Sequence, residues 1–289
     1  MISIIIPTYN RAYIIGRTLD SIIQQSYPDW ECIIVDDFST DNTESIVTIF
    51  QNKDNRIKFI RNNRSKGAQG ARNTGIMESK GEWVVLFDSD NVMHPDFLQK
   101  CTDALGRFEC DVVNTWSNII DVNTNNRIGT FSWVNIGFIH EKLLTRKCYV
   151  DNSSTIIRKT LLQEIGLLAE DCPAFQEWDT HIRMSSFAKY YTIKEYLIDY
   201  YSGALDAISS SSIKDIKGYL YILTKFKKEW IQKRPLHFLK LLSILKNNIK
   251  EIDAPYDCMR QYKVLVENFK LIVDAMAFYM RCKNRFKHC

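Results

Sequence analysis

No stretch of this chain reaches the roughly 18 uncharged apolar residues that a membrane-crossing helix needs. A spanning protein is therefore not expected. Eight cysteines are present (Cys32, Cys101, Cys110, Cys148, Cys172, Cys258, Cys282 and Cys289), yet no C-x-x-C pair or zinc-finger spacing links them. That argues against a thiol–disulfide motif and a structural zinc site. The apolar run Ile2–Ile6 meets Pro7 directly, with no basic segment or cleavage site, so no secretory signal is expected. Scattered thiols in that setting read as reduced cysteines of a cytoplasmic protein. Two nucleotide-binding signatures are also missing. The nearest glycine cluster, Gly67-Ala68-Gln69-Gly70, follows a loop and lacks G-x-G-x-x-G spacing, and no G-x-x-x-x-G-K-[ST] occurs. No basic motif interleaved with aromatics appears, which argues against a nucleic-acid partner.

What is present fits a globular protein. The 289 residues suit one sizeable α/β domain with an appendage, or two small domains. The net charge of +4 is mild, but it is unevenly spread. From Ile213 to Cys289 there are 17 Lys and Arg against 7 Asp and Glu, leaving 21 against 27 in the remainder. A basic tail behind an acidic front suggests two parts with different partners.

The front of the chain alternates strand and helix signals. Ser3–Ile6, Trp30–Val35, Ile57–Ile60 and Trp83–Phe87 are short apolar runs rich in β-branched or aromatic residues, as buried strands are. Between them, residues 13–26 carry helical spacing, a helix is expected to start near Thr43, and Ala71–Ser79 reads as a third. The order points to a mostly parallel sheet with helices on both faces. Ligands in such sheets bind beyond the carboxyl ends of the strands. Three of those ends carry polar clusters: Thr8-Tyr9-Asn10-Arg11, Asp36-Asp37 and Asp88-Ser89-Asp90-Asn91. Asp88 and Asp90, two residues apart, point the same way from extended backbone and could share a divalent cation. The same tetrapeptide is also good turn chemistry.

Taken together, these residues resemble the family-2 glycosyltransferases with a GT-A fold, a mostly parallel mixed sheet flanked by helices. The likeness covers about Met1 to Ile208 in five blocks: Pro7-Thr8-Tyr9-Asn10-Arg11, Val35–Asp41, Gly70-Ala71-Arg72-Asn73-Thr74-Gly75, Asp88-Ser89-Asp90 at the family's DxD motif, and Gln176-Glu177-Trp178-Asp179 with Arg183-Met184. The resemblance implies an inverting transferase that moves a sugar from a nucleoside diphosphate, UDP by preference, to a glycan or lipid-linked glycan acceptor of a bacterial surface polysaccharide. It also implies that Pro7, Thr8, Tyr9, Arg11 and Asp37 line the nucleotide pocket, where a carboxylate suits the N3–H of uracil. Arg72 and Ser89 would lie at the diphosphate, and Asp88 and Asp90 would hold Mn²⁺ or Mg²⁺. The rival reading is a non-catalytic protein that kept the fold to bind a nucleotide sugar.

The resemblance also implies a carboxylate base, and here the chain departs from its pattern. Aligning Arg183-Met184 puts Gln176 at the family's Glu and Glu177 at its Asp. Glu177 is then the candidate base, with Asp179 as the alternative; both could instead only stabilise a helix N-terminus. Trp178 resembles an acceptor-side aromatic, though a lone tryptophan is more often core.

The expected domains are 1–208, with a nucleotide-sugar half (1–110) and an acceptor half (111–208), and a basic helical region at 209–289 behind the serine-rich break Ser209–Ser212. In that region Phe238, Leu241, Leu242, Leu245 and Ile249 form one stripe, and a second helix is expected from Tyr262 to Arg281. A basic amphipathic helix can lie on an anionic membrane at the inner face of the cell. The alternative is that the stripe packs on the catalytic domain.

Overall fold

The computed structural model describes residues 1–203, 212–252 and 255–267. They fall into two compact units: residues 1–170 with the described part of 176–207, and residues 171–175 with the described residues from 212 onward.

In the first unit, β1 (Ile2–Thr8), β2 (Trp30–Asp36), β3 (Ile57–Arg61) and β4 (Trp83–Leu86) alternate with α1 (Ile15–Ile23), α2 (Thr43–Lys53) and α3 (Ala68–Glu78). β5 (Val92–Met93), α4 (Phe97–Arg107), β6 (Val112–Asp121), β7 (Arg127–Phe131), α5 (His140–Leu144), β8 (Thr155–Arg158), α6 (Lys159–Glu164), α7 (Gln176–Ser185) and β9 (Tyr190–Ser202) follow. The strands make one nine-stranded sheet in the order β3-β2-β1-β4-β8-β6-β9-β5, with β7 on β6. β1 pairs in parallel with both β2 and β4. It is therefore central in the sheet, and all but one of its residues are buried, as its isoleucine run requires. Ile4, Ile6, Ile34 and Val85 meet Leu19, Ile22, Phe97 and Leu98 in the core.

Two features differ from the sequence pattern. The third helix begins at Ala68, three residues before its expected start, because Gly70 lies within its first turn. A Cβ on Gly70 would stand 1.9 Å from the carbonyl oxygen of Ser65, and one on Gly75 would stand 2.4 Å from Ile5 Cγ2. These glycines let α3 approach the preceding loop and the sheet, so they mark contacts and not a loop. The apolar-leaning stretch Asn152–Ile157 reads as a strand in the sequence, but β8 starts only at Thr155. Asp151 Oδ2 accepts the Ser154 N–H at 3.0 Å, and the Thr155 N–H reaches the Asn152 carbonyl at 3.2 Å. That side-chain turn takes up the backbone groups a strand would have used.

The second unit contains α8 (Ser212–Lys225), α9 (Lys227–Lys233), α10 (Pro235–Glu251) and α11 (Tyr256–Glu267). The five stripe residues of α10 are all buried, and α10 contacts α8, α9 and α11 within its own unit. The serine-rich break before Ser212 lies outside the described residues, as does the expected second tail helix beyond Glu267. The part of that helix that is described starts earlier, at Tyr256. Among the described residues, no helix is long and apolar enough to cross a membrane, and the six described cysteines are buried.

Candidate active site

The order β3-β2-β1-β4 reverses direction at β1, so a crevice opens beyond the carboxyl ends of β1, β2 and β4. On the β1 side, Pro7 is half-buried and Thr8 buried, and the Thr8 hydroxyl has no partner among the described residues. Tyr9 is exposed, with Lys66 Nζ 5.3 Å from its ring centre. Arg11 is anchored through its N–H to Thr43 Oγ1 at 2.9 Å, and its guanidinium reaches the Tyr13 hydroxyl at 3.2 Å. At the end of β2, Asp37 is buried. Its Oδ1 accepts from Asn62 Nδ2 at 2.7 Å and its Oδ2 from the Gly67 N–H at 2.8 Å. The carboxylate is thus fixed in orientation and still has lone pairs for a ligand donor.

The loop after β4 is held from three sides. Arg72, buried on α3, donates to Asp88 Oδ1 at 2.5 Å and to Gln69 Oε1 at 2.7 Å. From α1, the Thr18 hydroxyl lies 3.0 Å from the Ser89 carbonyl and 2.9 Å from that of Asn91, while Arg17 donates to the Asp90 carbonyl at 2.8 Å. From the loop before β8, the fully buried Ser153 accepts from the Asp88 N–H at 3.2 Å and Asn91 Nδ2 at 3.0 Å, and donates to Asp88 Oδ2 at 3.2 Å. Burial, and then the charge of Asp88, push the Asp90 carboxyl up to about 6.

Facing this loop are groups from 149–151, α7 and β9. Burial raises Glu177, with Arg72 opposing and Asp88 adding to the rise. Glu177 Oε1 lies 3.4 Å from Asn152 Nδ2. Asp151 is pushed up to about 7 by burial and by the charges of Asp88 and Glu177. Tyr200 is pushed up to about 12 by burial and by Asp88, Asp151, Asp90 and Glu177. Ser153 at Asp88 and its neighbour Asn152 at Glu177 bring these two carboxylates to one loop, beside the buried Arg72 and next in sequence to Asp151.

Asp179 sits differently. It is fully buried and accepts from Arg183 Nε at 2.9 Å, with Arg183 Nη2 at 2.8 Å. Arg183 also donates to the carbonyls of Ile165 and Leu167 at 2.7 Å. The pair staples α7 to the loop after α6. Trp178 is also buried, its indole N–H on the Leu143 carbonyl at 2.9 Å. Sequence reasoning passed over Ser153, Asp151, Tyr200, Arg17 and Thr18. The i, i+4 spacing of Asp179 and Arg183 was a visible signal for their pairing, whereas nothing local marks Ser153, which acts on a residue 65 positions away.

Residues 64–65 of the loop before α3 are tied down by Glu170. Burial raises this carboxyl, but hydrogen bonds from Asn73 (2.8 Å), Ser65 (3.3 Å) and Arg64 (2.6 Å) outweigh it and bring the group down to about 2. A depressed carboxyl contributes stability that is complete above its unfolded value and lost as pH falls towards the folded one. Thermal melts should therefore show the wild type losing its advantage over Glu170→Gln between about pH 5 and pH 2, the window that this linkage sets. A constant gap across that range would show that the carboxylate charge contributes nothing.

A separate hollow of about 380 Å³, lined by Arg107, Phe108, Asp111, Arg158 and Lys189, opens near the start of β6. It lies at the opposite edge of the sheet from the carboxylates.

The sequence pattern described as Glycosyl transferase family 2 matches residues 3–166. The UDP-Glc:alpha-D-GlcNAc-diphosphoundecaprenol beta-1,3-glucosyltransferase WfgD of Escherichia coli is 26% identical over 226 residues, covering 78% of this chain and 86% of its own length. Among solved structures, S. aureus TarS 1–349 in complex with UDP-GlcNAc superposes with a TM-score of 0.69 at 19% identity, over 94% of this chain and 81% of that one. The mannosyltransferase PcManGT from Pyrobaculum calidifontis, in complex with GDP-Man and Mn²⁺, gives 0.59 at 19%, over 97% and 79%. At such identities the structural likeness is one of fold.

Proposed function

The chain belongs to glycosyl transferase family 2, and from that premise we propose that it transfers a sugar from a UDP-sugar to an acceptor hydroxyl in bacterial surface-polysaccharide assembly, with inversion. The observation that carries the reading is the shared crevice, in which Arg72 and Asp88 pair at the end of β4 while Glu177 faces them. A UDP donor is favoured by the buried Asp37 carboxylate and by the UDP-linked substrates named for WfgD and TarS. WfgD's name also specifies a diphosphoundecaprenol-linked acceptor. A lipid-linked acceptor is the reading adopted here, and with it a cytoplasmic site of action at the inner face of the membrane.

In this reading Thr8, Tyr9 and Asp37 hold base and ribose, with Pro7 and Arg11 shaping the wall. Arg72, whose buried Nε has no partner among the described residues, offers donors to the diphosphate in a fixed fork. Ser89 lends its backbone to the same turn. Asp88 and Asp90 suit Mn²⁺ or Mg²⁺. They are hard oxygen donors, and burial, with the charge of Asp88 beside it, lifts the Asp90 carboxyl. Among the described residues no group of three or more His, Cys, Asp or Glu side chains could hold a metal, so the other ligands fall to diphosphate and water, as is usual for Mg²⁺. When bound, the cation supplies Lewis-acid stabilisation of the leaving diphosphate. Glu177 takes the proton from the acceptor hydroxyl as its oxygen bonds to the anomeric carbon and the bond from that carbon to the diphosphate breaks. Asp179, held by Arg183, positions the helix that carries this base.

Thermal shift against UDP, GDP, dTDP and CDP, each with and without Mn²⁺, tests the donor. A nucleotide at about a hundredfold excess over its Kd stabilises by about 2.7 kcal/mol. The expected result is a shift with UDP that grows with Mn²⁺. Flat curves for all four nucleotides would overturn the reading.

A further inference from the structure

Residues 132–139, which follow β7, touch the start of β9 at two points. The Gly137 N–H and C=O exchange hydrogen bonds with Tyr190 at 2.9 and 3.0 Å, and the Asn135 N–H reaches Thr192 Oγ1 at 2.7 Å. Here Asn135 and Ile139 are fully buried, whereas Ile136 is 53% and Phe138 61% exposed, with Val134 and Trp133 exposed beside them. Four large apolar side chains within six residues thus face solvent as a ridge, while Asn135 and Ile139 anchor the segment. Scattered exposed hydrophobics need no explanation, but a contiguous row does.

Two further observations say what meets the ridge. The first is charge. From Ser132 to Val150 the chain carries three Lys or Arg and one acid, and Lys142 and Lys147, in and just past α5, are exposed. The second is continuity with the site. Phe131 opens the segment with its ring 5.8 Å from both Tyr149 and Tyr200, and both tyrosines feel the charges of Asp151 and Glu177. The segment is thus continuous, through Phe131, with Tyr200 and with Tyr149, which precedes Asp151 by two residues.

We propose that the Trp133–Phe138 ridge docks on an anionic lipid surface, with Lys142 and Lys147 against the headgroups, so that the crevice opens toward the bilayer. Aromatic and aliphatic side chains beside lysines are the composition that partitions into a membrane interface. The inference rests on the proposed lipid-linked acceptor for its biological sense, but its test does not. It differs from a contact through the apolar stripe of α10, because that stripe is already buried.

The test is co-sedimentation of the full chain with phosphatidylcholine vesicles, with and without phosphatidylglycerol. Wild type is expected to bind the anionic vesicles preferentially. The double variant Ile136→Ser/Phe138→Ser should lose about tenfold in partitioning, since binding scales with the apolar area inserted. Lys142→Glu/Lys147→Glu should lose a similar factor and much of the salt sensitivity. Both variants should keep the UDP thermal shift, because neither pair lies in the nucleotide pocket. Equal sedimentation of wild type and both variants would overturn the proposal and assign lipid binding elsewhere. So would wild-type indifference to anionic lipid, or a dimer in light scattering that Ile136→Ser/Phe138→Ser abolishes, which would make a second copy the occupant. Loss of the UDP shift in wild type would strike the donor reading and leave the vesicle result to stand on its own.

Discussion

Glu177→Gln should leave UDP binding within about twofold of wild type and lower the transfer rate by about 10²–10⁴, the range a positioned general base contributes. The amide keeps the shape and the 3.4 Å approach to Asn152 but cannot accept the acceptor's proton. Because the change acts on a proton in flight and not on the donor, kcat falls while the nucleotide Kd holds. Calorimetry with UDP alongside a product assay separates the two. Glu177→Asp is the informative partner. It keeps the charge and draws the carboxylate back by about 1 Å, a displacement that can cost about a hundredfold in a reaction that depends on alignment. Wild-type transfer by the glutamine variant would remove Glu177 from the chemistry.

Asp179 gives the opposite pattern. Its carboxylate is fully buried against Arg183, and removing one partner of a buried pair costs about 3–5 kcal/mol because the other charge is stranded. Asp179→Asn is therefore a stability variant, visible in melting. The two acids of α7 sit two residues apart and have different surroundings. Glu177 is half-buried beside Asp88 and Arg72, whereas Asp179 is tied to the chain after α6 through Arg183.

That contrast shows how far the sequence could be read. β1 to β4 were legible because each is a short apolar run closed by polar turn residues, and in a parallel sheet such runs end at the ligand edge. The convergence of Thr8, Asp37 and Asp88 followed from that rule alone. The pairing of β6 with β9 was not legible, since Val112–Asp121 and Tyr190–Ser202 are joined by register across some seventy residues of intervening chain. The same holds for the supports of the DxD loop. Thr18, Arg72 and Ser153 each reach it from a different element, and no local period encodes a hydrogen bond between elements. Gly70 falls in the glycine cluster before the expected helix, although its role is steric: it lets the first turn of α3 approach Ser65. The five-residue stripe of α10 was legible, since a 3.6-residue period states which side is buried; what it is buried against is a tertiary fact.

Asp90→Ala should reduce the affinity of the UDP site for Mn²⁺ by at least about a hundredfold, given that changing a residue that merely orients a ligand costs 10–100-fold. UDP binding without metal should be unchanged, so the metal-dependent part of the thermal shift disappears and the remainder stays. The reason lies in how the two carboxylates are held. Asp88 has both oxygens engaged, one by Arg72 and one by Ser153, which fixes its direction and leaves a lone pair on each for a cation. Asp90 is held through its backbone carbonyl by Arg17, and its carboxyl is raised by burial beside Asp88. A cation would relieve that repulsion, whereas alanine removes one donor and the repulsion together. Ser153→Ala provides the graded comparison. It frees Asp88 Oδ2 without removing a carboxylate, so Mn²⁺ affinity should fall by about tenfold, the lower end of the cost of losing an orienting partner. Calorimetric titration of Mn²⁺ into the UDP complex of each variant orders the three proteins. Wild-type Mn²⁺ affinity in Asp90→Ala would place the cation away from this loop, and a loss in Ser153→Ala equal to that in Asp90→Ala would mean that the loop itself had come apart.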